Sequence, residues 1–188
     1  MPRQPIPTLV VVSGPPGSGK TTLAHALARA IPCPAICRDE IKEGMVHASP
    51  GFLPSPGDPL TMRTLEVFFA VLRLLLEAEV SVVAEAAFQD PIWRPRLMPL
   101  AGLADLRVIH CVVDVGVARD RQQQRSRDVA TRGAHADAEH LASARGQSRF
   151  GYPEVGAPIL RVDTTTGYRP GLTEIATFVN AGRSTSTG

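Results

Sequence analysis

Lysine, aromatic residues and long apolar runs are all scarce in this 188-residue sequence. Lysine occurs only at Lys20 and Lys42, the formal net charge is +2, and aromatic residues make up 5 % of the chain. Single-stranded nucleic acids are usually held by basic grooves and stacked rings, so this composition argues against a nucleic-acid partner. No run approaches the roughly 20 apolar residues of a membrane-spanning helix, and we expect no membrane partner.

Cysteine is also infrequent, and its spacing is uninformative. Cys33, Cys37 and Cys111 form no CxxC pair, so the sequence predicts no zinc site from its cysteines. An odd number of cysteines indicates reduced thiols, and we expect a cytoplasmic protein. The first apolar run leads straight into a glycine-rich turn, which favours a buried strand over a secretory signal.

Apolar runs alternate with helical patterns along the chain, and this alternation is typical of βαβ units with a parallel sheet. We predict an α/β three-layer sandwich with helices on both faces of a five-stranded parallel sheet. The predicted strands are 8–13, 34–38, 81–87, 106–113 and 158–165. The predicted helices are 20–30, one opening on Asp39 as its N-cap, one around 65–76 and one over 171–182, with Gly182 beyond its end.

The domain organisation follows from composition. We predict a single domain over 1–182 and a disordered tail over 183–188. Residues 117–140 contain almost no large apolar side chain, so they cannot form a core helix. They form either a solvated lobe or a lid, which we place at about 119–140.

The most informative motif is a phosphate-binding loop between the first strand and the first helix. Gly14, Gly19, Lys20 and Thr21 match GxxxxGK[ST]. Backbone amides of such a loop turn towards an anion, Lys20 reaches the β and γ phosphates, and Thr21 can ligate Mg²⁺. We assign nucleotide binding to Gly14, Pro15, Pro16, Gly17, Ser18, Gly19, Lys20, Thr21 and Thr22.

Several segments together resemble the small P-loop kinases. These are the chloramphenicol-phosphotransferase-like, gluconate-kinase-like and polynucleotide-kinase-like proteins, often called AAA-domain ATP-binding proteins. The resemblance covers nearly the whole chain and rests on "GPPGSGKTT", "CRDEIKEGM", "VVAEAAF", the arginine-rich segment and "VDTT". It implies a nucleoside-kinase-like fold with a lid. No NKxD motif of the GTPase type occurs.

The resemblance gives roles to two acidic residues at predicted strand ends. Asp39, after the second strand, corresponds to the general base that takes the proton of the acceptor hydroxyl. The alternative is that Asp39 only caps its helix. Glu85, at the end of the third strand, corresponds to the acid that holds Mg²⁺. Its burial after an apolar run would be costly without a partner, which supports a role at the site.

Arginines in the lid of such kinases stabilise charge on the transferred phosphoryl group. Arg121 and Arg125 share one helix face, and by resemblance we select Arg125 and Arg132 as catalytic. A solvated charged face is the alternative. Asp114 is interpreted as a helix cap or a structural acid, and Trp93 is more typical of helix packing than of a pocket.

The sequence thus predicts an ATP- and Mg²⁺-dependent kinase that phosphorylates a hydroxyl of a small molecule, as a monomer or homodimer. The alternatives are a polynucleotide 5′-hydroxyl kinase, a toxin-type kinase acting on sugar nucleotides, and a nucleotide-dependent regulator with slow ATPase activity. No motif identifies the acceptor. Its pocket is expected to come from loops 47–60 and 88–97 and from the lid.

Overall fold

A computed structural model describes residues 6–53, 55, 58–87, 90–127 and 154–181. Five strands alternate with helices along the chain. The strands are β1 (Thr8–Ser13), β2 (Ala35–Cys37), β3 (Val82–Glu85), β4 (Asp105–Val112) and β5 (Ile159–Asp163). The helices in the described part are α1 (Lys20–Ala30), α2 (Arg38–His47), α3 (Pro59–Glu77), α4 (Asp90–Ala101), α5 (Val115–Arg127) and α6 (Leu172–Asn180).

The five strands form one sheet in the order β2-β3-β1-β4-β5, and every neighbouring pair is parallel. All six residues of β1 are buried, as expected for a central strand covered on both faces. The predicted five-stranded parallel sheet and α/β class are therefore confirmed.

Alternate residues of β1 enter two separate apolar cores, because successive side chains of a strand point to opposite faces. Leu9 and Val11 pack in a core with α3 and α4, whereas Val10 and Val12 pack in a core with α1 and α6. Helices therefore cover both faces, which gives the predicted three layers. Among the described helices, none is long and apolar enough to cross a membrane.

Helix α4 corrects the expectation of a loop at 88–97. It runs through Pro95 and Pro99, and a proline inside a helix costs about 3 kcal/mol. Trp93, Leu97 and Leu100 are nonetheless buried in the core. The Trp93 ring lies edge-on to Phe68 at 5.9 Å, which confirms its packing role. Burial of these side chains offsets the proline cost.

The start of α2 also differs from the prediction. The helix begins at Arg38, and Cys37 occupies the N-cap position with no side-chain cap bond. Asp39 therefore lies in the first turn, where its negative charge interacts favourably with the positive end of the helix dipole, but it is not the N-cap. Asp114 is confirmed as a cap, since its Oδ1 accepts the amides of Gly116 at 2.8 Å and Val117 at 3.2 Å.

Candidate active site

The phosphate loop connects β1 to α1 at the carboxyl edge of the sheet, the edge at which α/β proteins bind ligands. Gly17 and Gly19 have φ values of 79° and 71°, a left-handed conformation that costs little only for glycine. A Cβ on Gly17 would lie 2.5 Å from the carbonyl oxygen of Ala118. Gly17 is thus required both for the turn and for the close approach of α5.

Lys20 and Thr21, in the first turn of α1, converge on the carboxylate of Glu85. The Lys20 ammonium lies 3.8 Å from Oε1, and the Thr21 hydroxyl donates to Oε2 at 3.1 Å. Glu85 lies at the end of β3, directly between β1 and β2 in register with Val12 and Cys37. The three predicted residues are therefore brought together by strand order, although Glu85 is 64 positions from Thr21.

Burial and the neighbouring charges act in different directions on the Glu85 carboxyl group. Its side chain is 2 % exposed. Burial raises the pKa of Glu85, the Lys20 ammonium lowers it and the negative charge of Asp39 raises it, with a net upward shift. A buried carboxylate in this state would gain from a cation.

The residues present fit Mg²⁺. The Thr21 hydroxyl and the Glu85 carboxylate offer hard oxygen atoms, and Mg²⁺ is usually held by one or two such protein groups together with water and phosphate oxygens. The Glu85 carboxylate is buried, with Asp39 as a second negative charge nearby, and a divalent ion would stabilise both charges.

Asp39 differs from Glu85 in exposure. Its side chain is 53 % exposed, and Oδ1 accepts a hydrogen bond from the Arg38 guanidinium at 2.8 Å. It is nevertheless close enough to Glu85 for its charge to raise the pKa of that carboxyl group. The two acids thus occupy neighbouring strand ends, one buried and one accessible.

Helix α5 holds the phosphate loop through polar contacts. The Arg121 guanidinium donates to the carbonyl oxygens of Gly17 at 3.4 Å and Thr164 at 2.8 Å. The Gln122 amide donates to the Pro16 carbonyl at 2.7 Å. Ala118, Arg121 and Gln122 therefore contact the loop, although the sequence indicated a solvated lobe or a lid from 119 onward.

A cleft of about 470 Å³ continues from the phosphate loop along α5. It begins at Gly19 and Thr22 and is bounded by Arg121, Thr164 and Tyr168. The Thr164 hydroxyl lies 2.6 Å from the Ser18 carbonyl, so the "VDTT" segment is fixed to the loop. The cleft combines an aromatic ring with hydrogen-bonding groups next to a phosphate site.

Two predicted catalytic arginines are not placed by the structure. Arg132 lies outside the described residues, and for Arg125 only the backbone in α5 is described. Both stay predictions, as does the lid beyond Gln122. Sequence reasoning overlooked Gln122 and Tyr168, because a single polar residue or tyrosine has no motif, and only the topology brings them to the loop.

These features define a P-loop nucleotide-binding protein with the small-kinase fold. The sequence profile of the AAA domain family matches residues 9–151, and the chain belongs to that family. No curated protein matches the sequence significantly.

Solved structures agree on the fold. A candidate kinase from Chloroflexus aurantiacus J-10-fl is 25 % identical, with a TM-score of 0.81 over 94 % of this chain and 98 % of that one. A sugar kinase from Janibacter sp. HTCC2649 is 17 % identical, with a TM-score of 0.64 over 98 % and 100 %. The APS kinase of Mycobacterium tuberculosis is 18 % identical, with a TM-score of 0.59 over 95 % and 98 %.

Proposed function

We propose that this protein is an ATP- and Mg²⁺-dependent kinase that transfers the γ-phosphoryl group to a hydroxyl of a small molecule. The observation that carries the proposal is the convergence of Lys20 and Thr21 on buried Glu85, with accessible Asp39 at the next strand end. This arrangement supplies the groups that phosphoryl transfer needs at the donor and at the acceptor.

The donor occupies the phosphate loop and the adjoining cleft. Loop amides and the positive end of α1 hold the phosphates, and Lys20 neutralises charge on the β and γ groups. The cleft bounded by Arg121 and Tyr168 receives the base, where the ring can stack and the Thr164 region offers backbone groups. The preference for adenine over guanine is part of the proposal.

Thr21 and Glu85 hold Mg²⁺, which when bound would neutralise the developing charge on the phosphate oxygens. The chain's own contribution is to fix both oxygens on rigid elements, since Thr21 belongs to the first turn of α1 and Glu85 to a central strand.

Asp39 acts on the acceptor. A general base must be accessible to the acceptor hydroxyl and within hydrogen-bond reach of its proton, and Asp39 is about half exposed whereas Glu85 is buried. Asp39 accepts the hydroxyl proton as the acceptor oxygen bonds to the γ phosphorus. The bond from that phosphorus to the β–γ bridging oxygen breaks, and ADP leaves.

Arg125 and Arg132 complete the proposed site. Guanidinium groups stabilise the charge that spreads over the transferred phosphoryl oxygens. Loss of either would lower kcat more than it raises KM for ATP if the residue acts in the transition state.

A small acceptor is favoured over a polynucleotide by the net charge of +2 and the 5 % aromatic content. Two proteins of this fold have been solved with small second ligands: the M. tuberculosis APS kinase with AMPPNP and APS, and a shikimate kinase from Acinetobacter baumannii with shikimate. They support a two-substrate site but do not name the acceptor here.

The test is an acceptor screen that couples ADP formation to a spectroscopic signal, followed by kinetics of Asp39→Asn. We expect kcat to fall about 10²–10⁴-fold, the usual contribution of a general base, while ADP affinity is unchanged. Glu77→Gln is a matched control, because Glu77 is also 53 % exposed and paired with an arginine. Wild-type turnover by Asp39→Asn would refute the base assignment. Nucleotide-dependent partner binding without any phosphorylated product would identify a regulator instead.

A further inference from the structure

Three potential metal ligands from three different elements converge beside the phosphate site. His25 lies in α1, Cys37 ends β2 and Glu40 lies in the first turn of α2. One nitrogen, one sulfur and one oxygen atom, one from each side chain, all lie within 4.8 Å of one another. In the proposed reaction none of the three side chains has a role.

One of the two measured distances suits a tetrahedral transition metal, and the other needs a small adjustment. The His25 Nε2 atom lies 3.7 Å from the Cys37 Sγ atom and 2.7 Å from the Glu40 Oε1 atom. Zinc bonds of about 2.0–2.3 Å at tetrahedral angles place ligand atoms about 3.3–3.6 Å apart. The nitrogen–sulfur pair is close to this spacing. The nitrogen–oxygen pair must widen by about half an ångström.

That adjustment falls on the most exposed of the three ligands. The Glu40 side chain is 48 % exposed and the His25 side chain 39 % exposed, so the carboxylate can shift without repacking the core. Cys37 is buried at 2 % exposure, which fixes the sulfur. The site therefore has a rigid sulfur at its base and an entry path from solvent.

Hydrogen bonds also connect these side chains, since the Cys37 thiol bonds to the carboxylates of Glu40 and Glu85 and the His25 ring to Glu40. The Nε2 atom of His25 faces both the thiol and the carboxylate, but one ring nitrogen either donates or accepts at a time. It can therefore satisfy only one of these neighbours well when it is neutral. A metal ion uses a lone pair from all three side chains at once.

We propose that His25, Cys37 and Glu40 form a Zn²⁺-class metal site with three protein ligands and one coordination position left for water. The nitrogen, sulfur and oxygen set is of borderline softness and selects Zn²⁺ over Mg²⁺. The spacing of the cysteines along the chain predicted no such site, because its ligands come from different elements. An ion there ties α1 to the first turn of α2, which carries Asp39.

The test uses the full chain and Co²⁺ alone, in excess Mg²⁺ so that oxygen-only sites are filled. Cobalt bound to a thiolate gives a charge-transfer band in the near ultraviolet. We expect this band to saturate at one Co²⁺ per chain and to disappear when Zn²⁺ is added. Neither nucleotide nor acceptor is needed, so the result is independent of the proposed kinase activity.

Variants assign the ligands. His25→Gln and Glu40→Gln should each weaken Co²⁺ binding by at least the 10–100-fold, roughly, that the loss of an outer-shell partner costs, and Cys37→Ser should abolish the band. Cys33→Ser and His47→Gln are matched controls and should bind as the wild type does. Absence of a saturable band, or a band unchanged in His25→Gln, would overturn the proposal. If Cys37→Ser fails to fold, His25→Gln and Glu40→Gln still test the proposal, because both side chains lie at the surface.

Discussion

Replacing Gly17 by alanine would test how tightly α5 packs on the phosphate loop. The backbone φ of 79° costs about 1–2 kcal/mol for a residue with a Cβ. The new Cβ would lie 2.5 Å from the Ala118 carbonyl oxygen and 3.0 Å from its carbon, so α5 must move. Such overpacking costs about 1–3 kcal/mol more. The total of about 2–5 kcal/mol corresponds to a Tm lower by about 4–20 °C for a domain of this size.

Two other glycines separate the two contributions. Gly51 has a φ of 80°, but no atom lies within 4 Å of the position that a Cβ would take there. Gly51→Ala should therefore lose only the stability that the left-handed backbone conformation costs, about 1–2 kcal/mol. Gly44 lies inside α2 with free space around it, and Gly44→Ala should gain up to about 1 kcal/mol. The assay is thermal unfolding by circular dichroism, with nucleotide affinity measured by calorimetry. A Gly17→Ala protein no less stable than Gly51→Ala would refute the packing of α5 on the loop.

Three further predictions concern a buried ion pair, the hydrogen bonds of Arg121 and the proposed Mg²⁺ site. Lys42→Met should lower the free energy of unfolding in urea by about 3–5 kcal/mol, because the buried Asp58 carboxylate loses the ammonium group 2.9 Å away. The double variant Lys42→Met/Asp58→Asn should recover part of this loss, because no buried charge is then left without a partner. Burial raises the pKa of Asp58, but hydrogen bonds from Lys42 and Thr61 outweigh burial and lower the pKa below 3.8. The stability that the Lys42–Asp58 pair contributes is therefore complete above pH 3.8 and is lost on further acidification. A wild-type unfolding free energy that does not change with pH in this acidic range would contradict the pairing. Arg121→Ala should lose about 1.5–3 kcal/mol in the same unfolding assay, since a charged donor leaves three backbone carbonyls, and an unchanged midpoint would refute the contact. Glu85→Gln should abolish the Mg²⁺-dependent part of ATP affinity in calorimetry, and equal Mg²⁺ dependence in both proteins would exclude Glu85 as a ligand.

Local sequence determined the parts of the fold that were predicted well. The phosphate loop is one continuous motif, and β1 and α1 have the predicted bounds, because an unbroken apolar run and a glycine-rich turn define them without distant contacts. The role of Glu85 beside this loop was implied by the resemblance to small P-loop kinases, together with its place at the end of a predicted strand. The position of Glu85 follows from parallel strands ending at one edge of the sheet.

Long-range contacts determined the parts that were missed. A loop was expected at 88–97, but burial of Trp93 against Phe68 stabilises a helix from residue 90 onward, although Pro95 and Pro99 disfavour it locally. The contacts of Arg121 with the backbone carbonyls of Gly17 and Thr164 were likewise not predicted, whereas the lid at about 119–140 stays a prediction. Such contacts between a side chain and a distant backbone leave no periodic pattern in the sequence.

The central claim is that the phosphoryl group goes to a small acceptor and not to water. Its most direct measurement is incubation with ATP labelled with ¹⁸O in the γ-phosphoryl group and a library of small hydroxyl compounds, followed by mass spectrometry. We predict an organic phosphate that carries the label, that depends on Mg²⁺ and that is absent with Lys20→Met. Label found only in inorganic phosphate, whatever compound is added, would contradict the account.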